Sequence, residues 1–546
     1  MSICFEGNVV DVAGRRIFPA RVRVEAERIA ALEPAPGPYD TYLLPGFIDA
    51  HVHIESSLLV PSEFARVAVT HGTVATVSDP HEIANVLGAE GIRFMIDNAR
   101  AAGFKCYFGA PSCVPATGAG FETAGARLDA EDVARLLERP EIRYLSEMMN
   151  FPGVLDHDEE VWDKLAAARR LGKPVDGHAP GLTGEALQRY IDAGITTDHE
   201  AVSYAEAREK IERGMKILLR EGSAARNFED LHPLISEYPD RVMLCSDDRH
   251  PDDLVEGHVD DLVRRALAKG HDLFDVLRAA GLNAVEHYGL DVGRLRVGDP
   301  ADFIEVTDLE RCEVLRTVIA GREVFAAGQS RIPRVRAGRP NRFEARPKRE
   351  EDFFVRGAAG TYRVVRVFDH RLYTAEERVA LQARDGRVRP DPDRDILLLA
   401  VVNRYADTPP AVAFVRGFGL RRGALASSIA HDSHNIVAVG RDAAALCRAV
   451  NRVIAHRGGI VAVDDTGEAR ELPLPVAGLM TDADGFETGR AYRALDRYAR
   501  ERLGSALSAP FMTLSFLALL VIPELKLSDK GLFDGRRFAF VPVRAA

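Results

Sequence analysis

Cysteine is scarce in this chain and never occurs in a metal-binding or disulfide pattern. Among 546 residues there are six cysteines, without a Cys-x-x-Cys pair: Cys4, Cys106, Cys113, Cys245, Cys312 and Cys447. Scattered cysteines are typical of reduced thiols in a cytosolic protein. The amino terminus has no basic patch followed by an apolar stretch, so we expect no signal peptide. These absences predict a cytoplasmic location.

Long apolar runs and an excess of positive charge are also lacking. The longest apolar run, Leu514 to Ile522 with one interruption at Ser515, is too short to cross a bilayer. Basic residues number 71 against 82 acidic ones, a net charge of −11. The base-editing deaminase signature, His-x-Glu with Pro-Cys-x-x-Cys, does not occur. We therefore predict no membrane contact and no nucleic-acid partner.

An apolar run that is typical of a buried strand ends in two histidines separated by one residue. The run is Pro-Gly-Phe-Ile-Asp-Ala-His-Val-His, from Pro45 to His53. Because alternate residues of a strand share one face, both imidazoles can reach a single metal ion. Alone, the pair would more often be two half-exposed strand histidines. The later segments favour the metal interpretation.

Four more ligand-type side chains each follow a short apolar or β-branched run: Glu147, His178, His199 and Asp247. Helical patterns lie between these runs, over residues 131–138, 161–171, 184–193 and 205–219. Alternation of strand and helix over about 200 residues favours parallel βαβ units. In a (β/α)₈ barrel, functional groups lie at the carboxyl ends of the strands. Every candidate ligand falls at such an end.

The ligand types determine the chemistry. Imidazole and carboxylate bind Mn²⁺, Fe²⁺ and Zn²⁺, and a carboxylate shared by two ions favours loss of a water proton near neutral pH. The candidate metal ligands are His51, His53, Glu147, His178, His199 and Asp247. Asp247 can contact both metal and water, so it is the candidate base. Singly, Glu147 or Asp247 could instead pair with a buried arginine, and His178 could be a core histidine.

The sequence indicates several domains. We predict an α/β protein: a distorted (β/α)₈ TIM barrel over 45–285, a small β-sandwich domain from both flanks (1–44 and 286–330), and a C-terminal α/β domain over 353–546. The Arg- and Pro-rich segment 331–352 is interpreted as a solvated, partly disordered linker. The cluster His431 to Asn435 could form a site, but a polar turn satisfying its own backbone is favoured. His250 and His258 are more readily solvated loop residues than pocket residues.

Several motifs resemble those of the amidohydrolase superfamily, and of adenine deaminases in particular. The superfamily marks are the Pro45–His53 run and Val-Gly-Asp-Pro-Ala-Asp-Phe at 297–303. More specific marks are Ile-Glu-Ser-Ser-Leu at 54–58, Ser-Asp-Pro-His-Glu-Ile at 78–83 and Glu-Met-Met-Asn at 147–150. The resemblance continues to Pro-Glu-Leu-Lys-Leu at 523–527 and so covers essentially the whole chain.

The resemblance implies hydrolytic removal of the 6-amino group of adenine, giving hypoxanthine and ammonia, at two Mn²⁺ or Fe²⁺ ions per site. An acid must protonate the ring. Glu82, Glu55 and Glu200 are the candidates, with Glu82 and Glu200 favoured equally, while any of them could instead orient a metal histidine. Candidate substrate-binding residues are Glu55, Ser56, Ser57, His81 and Asp248. Adenine and water are the expected partners, in a purine-salvage enzyme that we expect to be a homodimer.

Two other functions stay open. The chain could hydrolyse another aminopurine, such as an N6-substituted adenine, or a cyclic amide. Cyclic-amide hydrolases of this superfamily normally require a carboxylated lysine or a bridging carboxylate. No lysine occupies the end of the strand that carries Glu147. A catalytically silent, metal-stabilised scaffold would be expected to have lost ligands, yet all six are present.

Overall fold

The computed structural model describes residues 2–117 and 120–545. The chain begins with a meander of extended segments separated by tight turns. Strand β1 pairs with β2 along its whole length, from Ser2 opposite Glu25 to Asp11 opposite Arg16. These first strands are β1 (Ser2–Asp11), β2 (Arg16–Glu25), β3 (Arg28–Pro34) and β4 (Tyr42–Pro45).

A parallel barrel follows. Its strands are β5 (Phe47–Val52), β6 (Thr73–Ser78), β7 (Lys105–Ala110), β8 (Ile142–Met148), β9 (Val175–Gly177), β10 (Thr197–Asp198), β11 (Lys216–Arg220) and β12 (Val242–Cys245). Strands β5 to β9 form one hydrogen-bonded run and β10 to β12 another. Bridges from Val175 to Ile195 and from Val52 to Asp247 join these runs at both ends. The strands therefore close into a ring, which confirms the predicted (β/α)₈ barrel.

Helices cover the outside of the ring and bury one apolar face each. In the helix over 130–137, for example, Val133, Leu136 and Leu137 are buried, and Asp129 caps the amino end. The barrel helices are α1 (Pro61–Ala68), α2 (His81–Leu87), α3 (Ala89–Ala102), α4 (Ala130–Leu137), α5 (Phe151–Leu155), α6 (Glu159–Arg170), α7 (Gly184–Asp192), α8 (Tyr204–Glu212), α9 (Phe228–Leu231), α10 (Leu234–Glu237), α11 (Pro251–Glu256), α12 (Val259–Ala268), α13 (Leu273–Leu277) and α14 (Asn283–Tyr288).

One predicted helix is too long. The helical pattern over 205–219 was expected to be a single helix, but α8 ends at Glu212 and residues Lys216–Arg220 form β11. Gly214 has a φ of 110°, a value that a helix cannot contain. The apolar residues after it are therefore a buried barrel strand.

After the barrel the chain returns to the first strands. The returning strands are β13 (Phe303–Val306), β14 (Val314–Ile319), β15 (Arg322–Ala326) and β16 (Gln329–Ser330). They hydrogen-bond in the order β16-β15-β14-β13-β4-β1-β2-β3. The small β domain thus draws its strands from both flanks of the barrel, as predicted.

The Arg- and Pro-rich segment 331–352 is mostly exposed, as a solvated linker would be, but Ile332, Phe343 and Lys348 are buried. It has no regular structure before a short 3₁₀ turn at Glu350–Phe353, but Phe343 is only 2% exposed. The ammonium of Lys348 donates to Asp407 at 2.6 Å, and its backbone N–H donates to Asn451 at 2.7 Å. These contacts attach the segment to the C-terminal domain.

The C-terminal domain is an α/β unit, as predicted. Its main sheet has the order β19-β18-β23-β22-β25-β24-β26-β27. The strands are β17 (Val355–Arg356), β18 (Gly360–Arg366), β19 (Ala375–Leu381), β20 (Ala383–Arg384), β21 (Arg387–Val388), β22 (Ile396–Val402), β23 (Ala411–Arg416), β24 (Ala424–Ser427), β25 (Ile436–Gly440), β26 (Gly459–Val463), β27 (Ala469–Pro473), β28 (Leu525–Ser528), β29 (Gly531–Asp534) and β30 (Ala539–Phe540). The helices are α15 (Ala443–His456), α16 (Gly485–Arg497) and α17 (Pro510–Ser515).

Within the described ranges, no helix combines the length and apolar character that a bilayer crossing requires.

Candidate active site

The six predicted metal ligands lie together at the carboxyl end of the barrel. They come from strand β5 or from the residues at or directly after four other strand ends, and five of the six are nearly completely buried, while His178 is about a fifth exposed. His51 Nε2 and His53 Nε2 are 3.2 Å apart. The side chains of His51 and His199 stack with ring centroids 4.2 Å apart. Closure of the ring between β5 and β12 brings the first and last of these residues into contact.

Glu147 lies at the centre of the cluster. Its Oε1 is 3.4 Å from His53 Nε2, whereas its Oε2 is 2.7 Å from His178 Nδ1 and 3.2 Å from His199 Nε2. Burial alone would raise the pKa of Glu147, but the hydrogen bonds from His178 and His199 lower it well below its usual value. One carboxylate is thus shared by two groups of donor atoms, an arrangement suited to bridging two ions.

Asp247 faces the histidine pair with one oxygen and a buried arginine with the other. Its Oδ1 is 3.3 Å from His53 Nε2 and 3.5 Å from His51 Nε2, and Arg220 Nη1 donates to its Oδ2 at 2.9 Å. Burial would raise the pKa of Asp247, but Arg220 and the two histidines lower it well below its usual value. The residue has a φ of 54°, in the left-handed region.

The tautomer of His53 fits a metal ligand. Its Nδ1 lies 3.1 Å from the backbone carbonyl oxygen of Asp79, which can only accept a hydrogen bond. In the neutral ring the proton is therefore on Nδ1, and Nε2 directs a lone pair into the cluster. Donor groups of the right type and spacing for a cation include His51 with Glu147 and His199, and His51 with His53 and Asp247. The residues present fit a divalent metal pair.

Glu200, one candidate for the ring-protonating acid, forms a salt bridge with Arg220. The guanidinium donates to both carboxylate oxygens, with 2.9 Å from Nη2 to Oε2. Burial would raise the pKa of Glu200, but Arg220 lowers it below its usual value. Sequence reasoning missed Arg220, although it ends the apolar run of β11. An arginine is no metal ligand, so the strand-end criterion did not select it.

Buried carboxylates support the loops that carry the ligands. Asp198 Oδ1 accepts the backbone N–H of Ala179 at 2.9 Å, and its Oδ2 accepts the Lys210 ammonium at 2.9 Å. Asp49 accepts the backbone N–H of Ser246 at 3.0 Å and contacts His258 Nε2 at 2.8 Å. None of these residues was selected from the sequence.

The two histidines expected in solvated loops are buried instead. His258 is 1% exposed, because it contacts Asp49 and, through Nδ1, the hydroxyl of Thr73 at 2.7 Å. His250 Nδ1 is 3.0 Å from the carbonyl oxygen of Ser56. The His250 ring thus contacts the segment after the histidine pair, and the His258 ring contacts Asp49, which precedes the pair in β5.

Four of the predicted substrate-binding residues are buried, and Asp248 is partly exposed. Ser56 donates to Asp248 Oδ1 at 2.5 Å, and Ser57 donates to the carbonyl of Ile54 at 2.6 Å. Glu55 Oε1 accepts the backbone N–H of Ile83 at 3.1 Å, and burial raises the pKa of Glu55 to about 7. The fifth residue, His81, lies 3.3 Å from the central carboxylate through its Nδ1.

The C-terminal domain reaches this site, contrary to the favoured interpretation of 431–435 as a self-contained polar turn. His431 Nδ1 is 2.5 Å from Glu82 Oε1, and His434 Nε2 contacts Glu82 Oε2. Asp432 and Glu82 lie within one group of possible ligand atoms with His81. The only signal in the sequence was the density of polar residues in the turn.

A cavity of about 680 Å³ opens between the barrel and the C-terminal domain. Its lining includes Met149 and Asn150, which follow Glu147, and Phe538 from the C-terminal domain. None of the predicted ligands and none of the candidate substrate-binding residues lines this cavity, which is adjacent to the site only through the residues that follow Glu147.

Family models match most of the chain. The model for the amidohydrolase family matches residues 42–324, and the model for the adenine deaminase C-terminal domain matches residues 371–539. The first begins at β4 and extends through the barrel into β15, and the second covers most of the last domain.

Curated relatives are similar over nearly the whole length. Adenine deaminase from Sulfurovum sp. is 58% identical over 98% of this chain and 98% of its own length. Adenine deaminases from Salinibacter ruber and Methanosarcina barkeri are 57% and 52% identical, each over 99% of this chain and 98% and 99% of their own lengths. A solved adenosine deaminase from Xanthomonas campestris is similar with a TM-score of 0.44, at 18% identity, over 60% of this chain and 93% of that one.

Proposed function

The chain belongs to the adenine deaminases of the amidohydrolase family and is a hydrolase, and from this premise we propose which residues and ions convert adenine to hypoxanthine and ammonia. The observation that carries the proposal is the convergence of four histidines and two carboxylates at one end of the barrel, in a chain 58% identical to an adenine deaminase along its length. The remaining assignments follow from the contacts of these side chains.

We propose two divalent ions, Mn²⁺ or Fe²⁺, as the cofactor, while Zn²⁺ suits the same donors. His51, His53 and Asp247 would hold one ion, His178 and His199 the other, and Glu147 would bridge them. When bound, such a pair lowers the pKa of a nearby water and stabilises negative charge. The support for these assignments is the two-sided contact of Glu147 and the Nδ1-protonated His53.

Asp247 is assigned as the base that accepts the proton of the attacking water. Its Oδ1 is directed at the ligand cluster, and Arg220 keeps the carboxyl ionised and fixed in orientation. An amine is a stronger base than a carboxylate, so Asp247 can pass the proton on to the departing amine.

Glu82 is assigned as the acid that protonates the purine ring. Glu82 and Glu200 both have lowered pKa values, but the partner of Glu200 is Arg220, which cannot release a proton, whereas the partners of Glu82 are histidines, which can. We therefore assign Glu200 to positioning Arg220 and, through it, Asp247. Glu82 has no such arginine partner, and it lies 3.5 Å from His81.

The substrate contacts are assigned to Glu55, Ser56, Ser57, His81 and Asp248, which lie around the ligands. Glu55 Oε2 is buried without a hydrogen-bond partner, so it is available to a ring or exocyclic N–H group. N6-substituted adenines are the second candidate substrates, because an apolar wall discriminates against a methyl group only weakly.

We further propose that the protein works in the cytoplasm as a homodimer. The six cysteines make no disulfide in the part of the chain that the structure describes, and closed dimers are the commonest soluble assemblies. Light scattering on the purified protein tests the oligomeric state, and a monomer would remove this part of the proposal.

The experiment measures ammonia release and loss of adenine absorbance with protein stripped of metal and then refilled with Mn²⁺. Turnover that returns at two equivalents of metal supports both the reaction and the paired site. Bound metal without adenine turnover would overturn the substrate assignment and direct the assay to N6-substituted adenines and cyclic amides.

A further inference from the structure

Two imidazoles of the C-terminal domain contact one carboxylate of the barrel. His431 and His434 lie between β24 and β25, and Glu82 lies in the first turn of α2. His431 Nδ1 faces Glu82 Oε1 at 2.5 Å, and His434 Nε2 contacts the other oxygen. All three side chains are at most 3% exposed. Each oxygen of Glu82 therefore has its own imidazole from another domain.

Glu82 is also connected to the centre of the ligand cluster. His81 Nε2 is 3.5 Å from Glu82 Oε1, and His81 Nδ1 is 3.3 Å from Glu147 Oε1. A continuous line of polar contacts thus leads from Glu147 through His81 and Glu82 to His431. The ring of Phe516 stacks on His431 at 4.6 Å and fixes its plane.

The two imidazoles differ in protonation. Burial lowers the pKa of His434 to about 4, and its Nδ1 accepts the backbone N–H of Ala430 at 3.4 Å. The neutral ring therefore carries its proton on Nε2, the atom in contact with Glu82. Burial would also lower the pKa of His431, but Glu82, with help from Asp248 and Asp432, raises it to about 9. At neutral pH, His431 is the charged member of the pair.

We propose that this pair belongs to the catalytic apparatus: His434 positions Glu82, and His431 supplies the proton that Glu82 delivers to the purine ring. The inference deepens the proposed deamination and rests on it. A C-terminal domain that served only to cover the barrel would not need two buried imidazoles on a carboxylate that contacts His81.

The proton transfers balance. The N–H bond at His431 Nδ1 breaks, Glu82 passes a proton to a ring nitrogen, and the water oxygen bonds to C6 while Asp247 takes one water proton. Asp247 then protonates the amino group, and the C6–N bond breaks with its electron pair leaving on ammonia. The hydroxyl proton at C6 returns through Glu82 to His431. The sum is adenine plus water giving hypoxanthine plus ammonia.

The test compares His431→Asn and His434→Asn with wild type, all loaded with Mn²⁺. We expect His431→Asn to lower kcat about 100-fold, the size of a lost acid or base, with KM, metal content and melting temperature little changed. Wild-type kcat should fall as the pH rises through about 9, since only protonated His431 is active. This alkaline limb should be missing in His431→Asn and present in His434→Asn.

Other titratable groups face His431, namely Glu82, His434, Asp432, Asp248 and His250. The His434→Asn profile therefore controls for a general change in the local field. His456→Asn is the matched control for the domain, because His456 pairs with Glu471 away from the site. We expect wild-type kcat from it.

Unchanged kcat and pH profile in His431→Asn, with wild type active, would overturn this inference alone. A loss of activity in His431→Asn that is fully explained by a loss of folded protein or bound metal would also overturn it. If asparagine disturbs the packing against Phe516, His431→Gln is the second variant. A wild-type protein that releases no ammonia from adenine would instead overturn the proposed function itself.

Discussion

Asp247 has a backbone conformation that few residues adopt. Its φ of 54° lies in the left-handed region, which aspartate tolerates better than most non-glycine residues. The Asp247 N–H donates to the carbonyl oxygen of His51 at 2.9 Å, and the His53 N–H is directed at the carbonyl oxygen of Asp247 at 3.4 Å. Such a conformation costs free energy, typically about 1–3 kcal/mol, and persists where the surrounding contacts fix it. Here those contacts aim the carboxylate at the ligand cluster.

We expect Asp247→Asn to keep the fold and to lose deamination by about 10²–10⁴-fold, the range for a removed acid or base. Asparagine has nearly the same shape and tolerates the left-handed region, so Arg220 can still donate to its amide oxygen. The measurement is kcat under saturating Mn²⁺, with melting temperature beside it. Asp240→Asn, on a 70% exposed side chain, is the control. Wild-type turnover in Asp247→Asn would remove Asp247 from the base role.

Arg220 joins the two carboxylates on the strand ends of the barrel. Its guanidinium contacts Glu200 with both Nη atoms and Asp247 with one, and the residue is 5% exposed. Removing one partner of a buried ion pair leaves uncompensated charge, which typically costs about 3–5 kcal/mol. We expect Arg220→Gln to shift the urea unfolding midpoint strongly downward and to reduce kcat.

The matched control for that change is Arg100→Gln, since Arg100 is 62% exposed and pairs with Glu141. An exposed pair of this kind contributes about 1 kcal/mol or less. Equal midpoints for the two variants would contradict a structural role for the buried guanidinium.

At the scale of elements, the short strands β9 and β10 position His178 and His199. Gly177 ends β9, and a Cβ at this position would lie 2.4 Å from the carbonyl oxygen of Thr197 and 2.7 Å from a methyl carbon of Ile195. The two strands can approach this closely only because residue 177 lacks a side chain. The glycine therefore sets the spacing between two of the predicted ligands.

We expect Gly177→Ala to separate β9 from β10, with a cost of about 1–3 kcal/mol for the added methyl group and a loss of bound metal. Metal analysis after dialysis and thermal unfolding measure the two effects. Gly338→Ala is the control, because its Cβ would meet only Pro340, at 3.9 Å. Full metal content in Gly177→Ala would show that the site tolerates a larger distance between β9 and β10.

The elements show why the barrel could be predicted while one boundary could not. Apolar runs ending in His, Glu or Asp are a local signal, and each run that was chosen on this basis is a strand. Residues 205–219 carry a helical pattern throughout, and the change from α8 to β11 depends on Gly214 and on the space between β10 and β12. Periodicity alone does not report a tertiary constraint of this kind.

At the scale of the whole molecule, the site combines two domains. Glu82 and His431 are 349 residues apart in sequence, so no local pattern relates them. The convergence of the six predicted ligands could be predicted because each lies in or shortly after a barrel strand, whereas the contacts from the C-terminal domain depend on how one domain docks on another. The polar turn 431–435 could be recognised in the sequence, but its partner Glu82 could not. Asp79 lies in the motif 78–83 and contacts His81 at 3.1 Å, whereas neither Asp198 nor Lys210 was predicted to be a site residue.

Metal removal should destabilise the barrel more than the rest of the molecule. Without ions, the buried ligand atoms around Glu147 face one another, and an ion that binds only the folded state adds about 2.7 kcal/mol at 100 times its Kd. We expect chelation to lower the temperature of one calorimetric transition and Mn²⁺ to restore it, with His51→Asn largely insensitive to either. His431 contacts Glu82 and is not one of the predicted ligands. His431→Asn should therefore keep this metal-dependent shift while losing turnover. An unchanged wild-type melting profile after complete metal removal would mean that protein contacts alone maintain the ligand cluster.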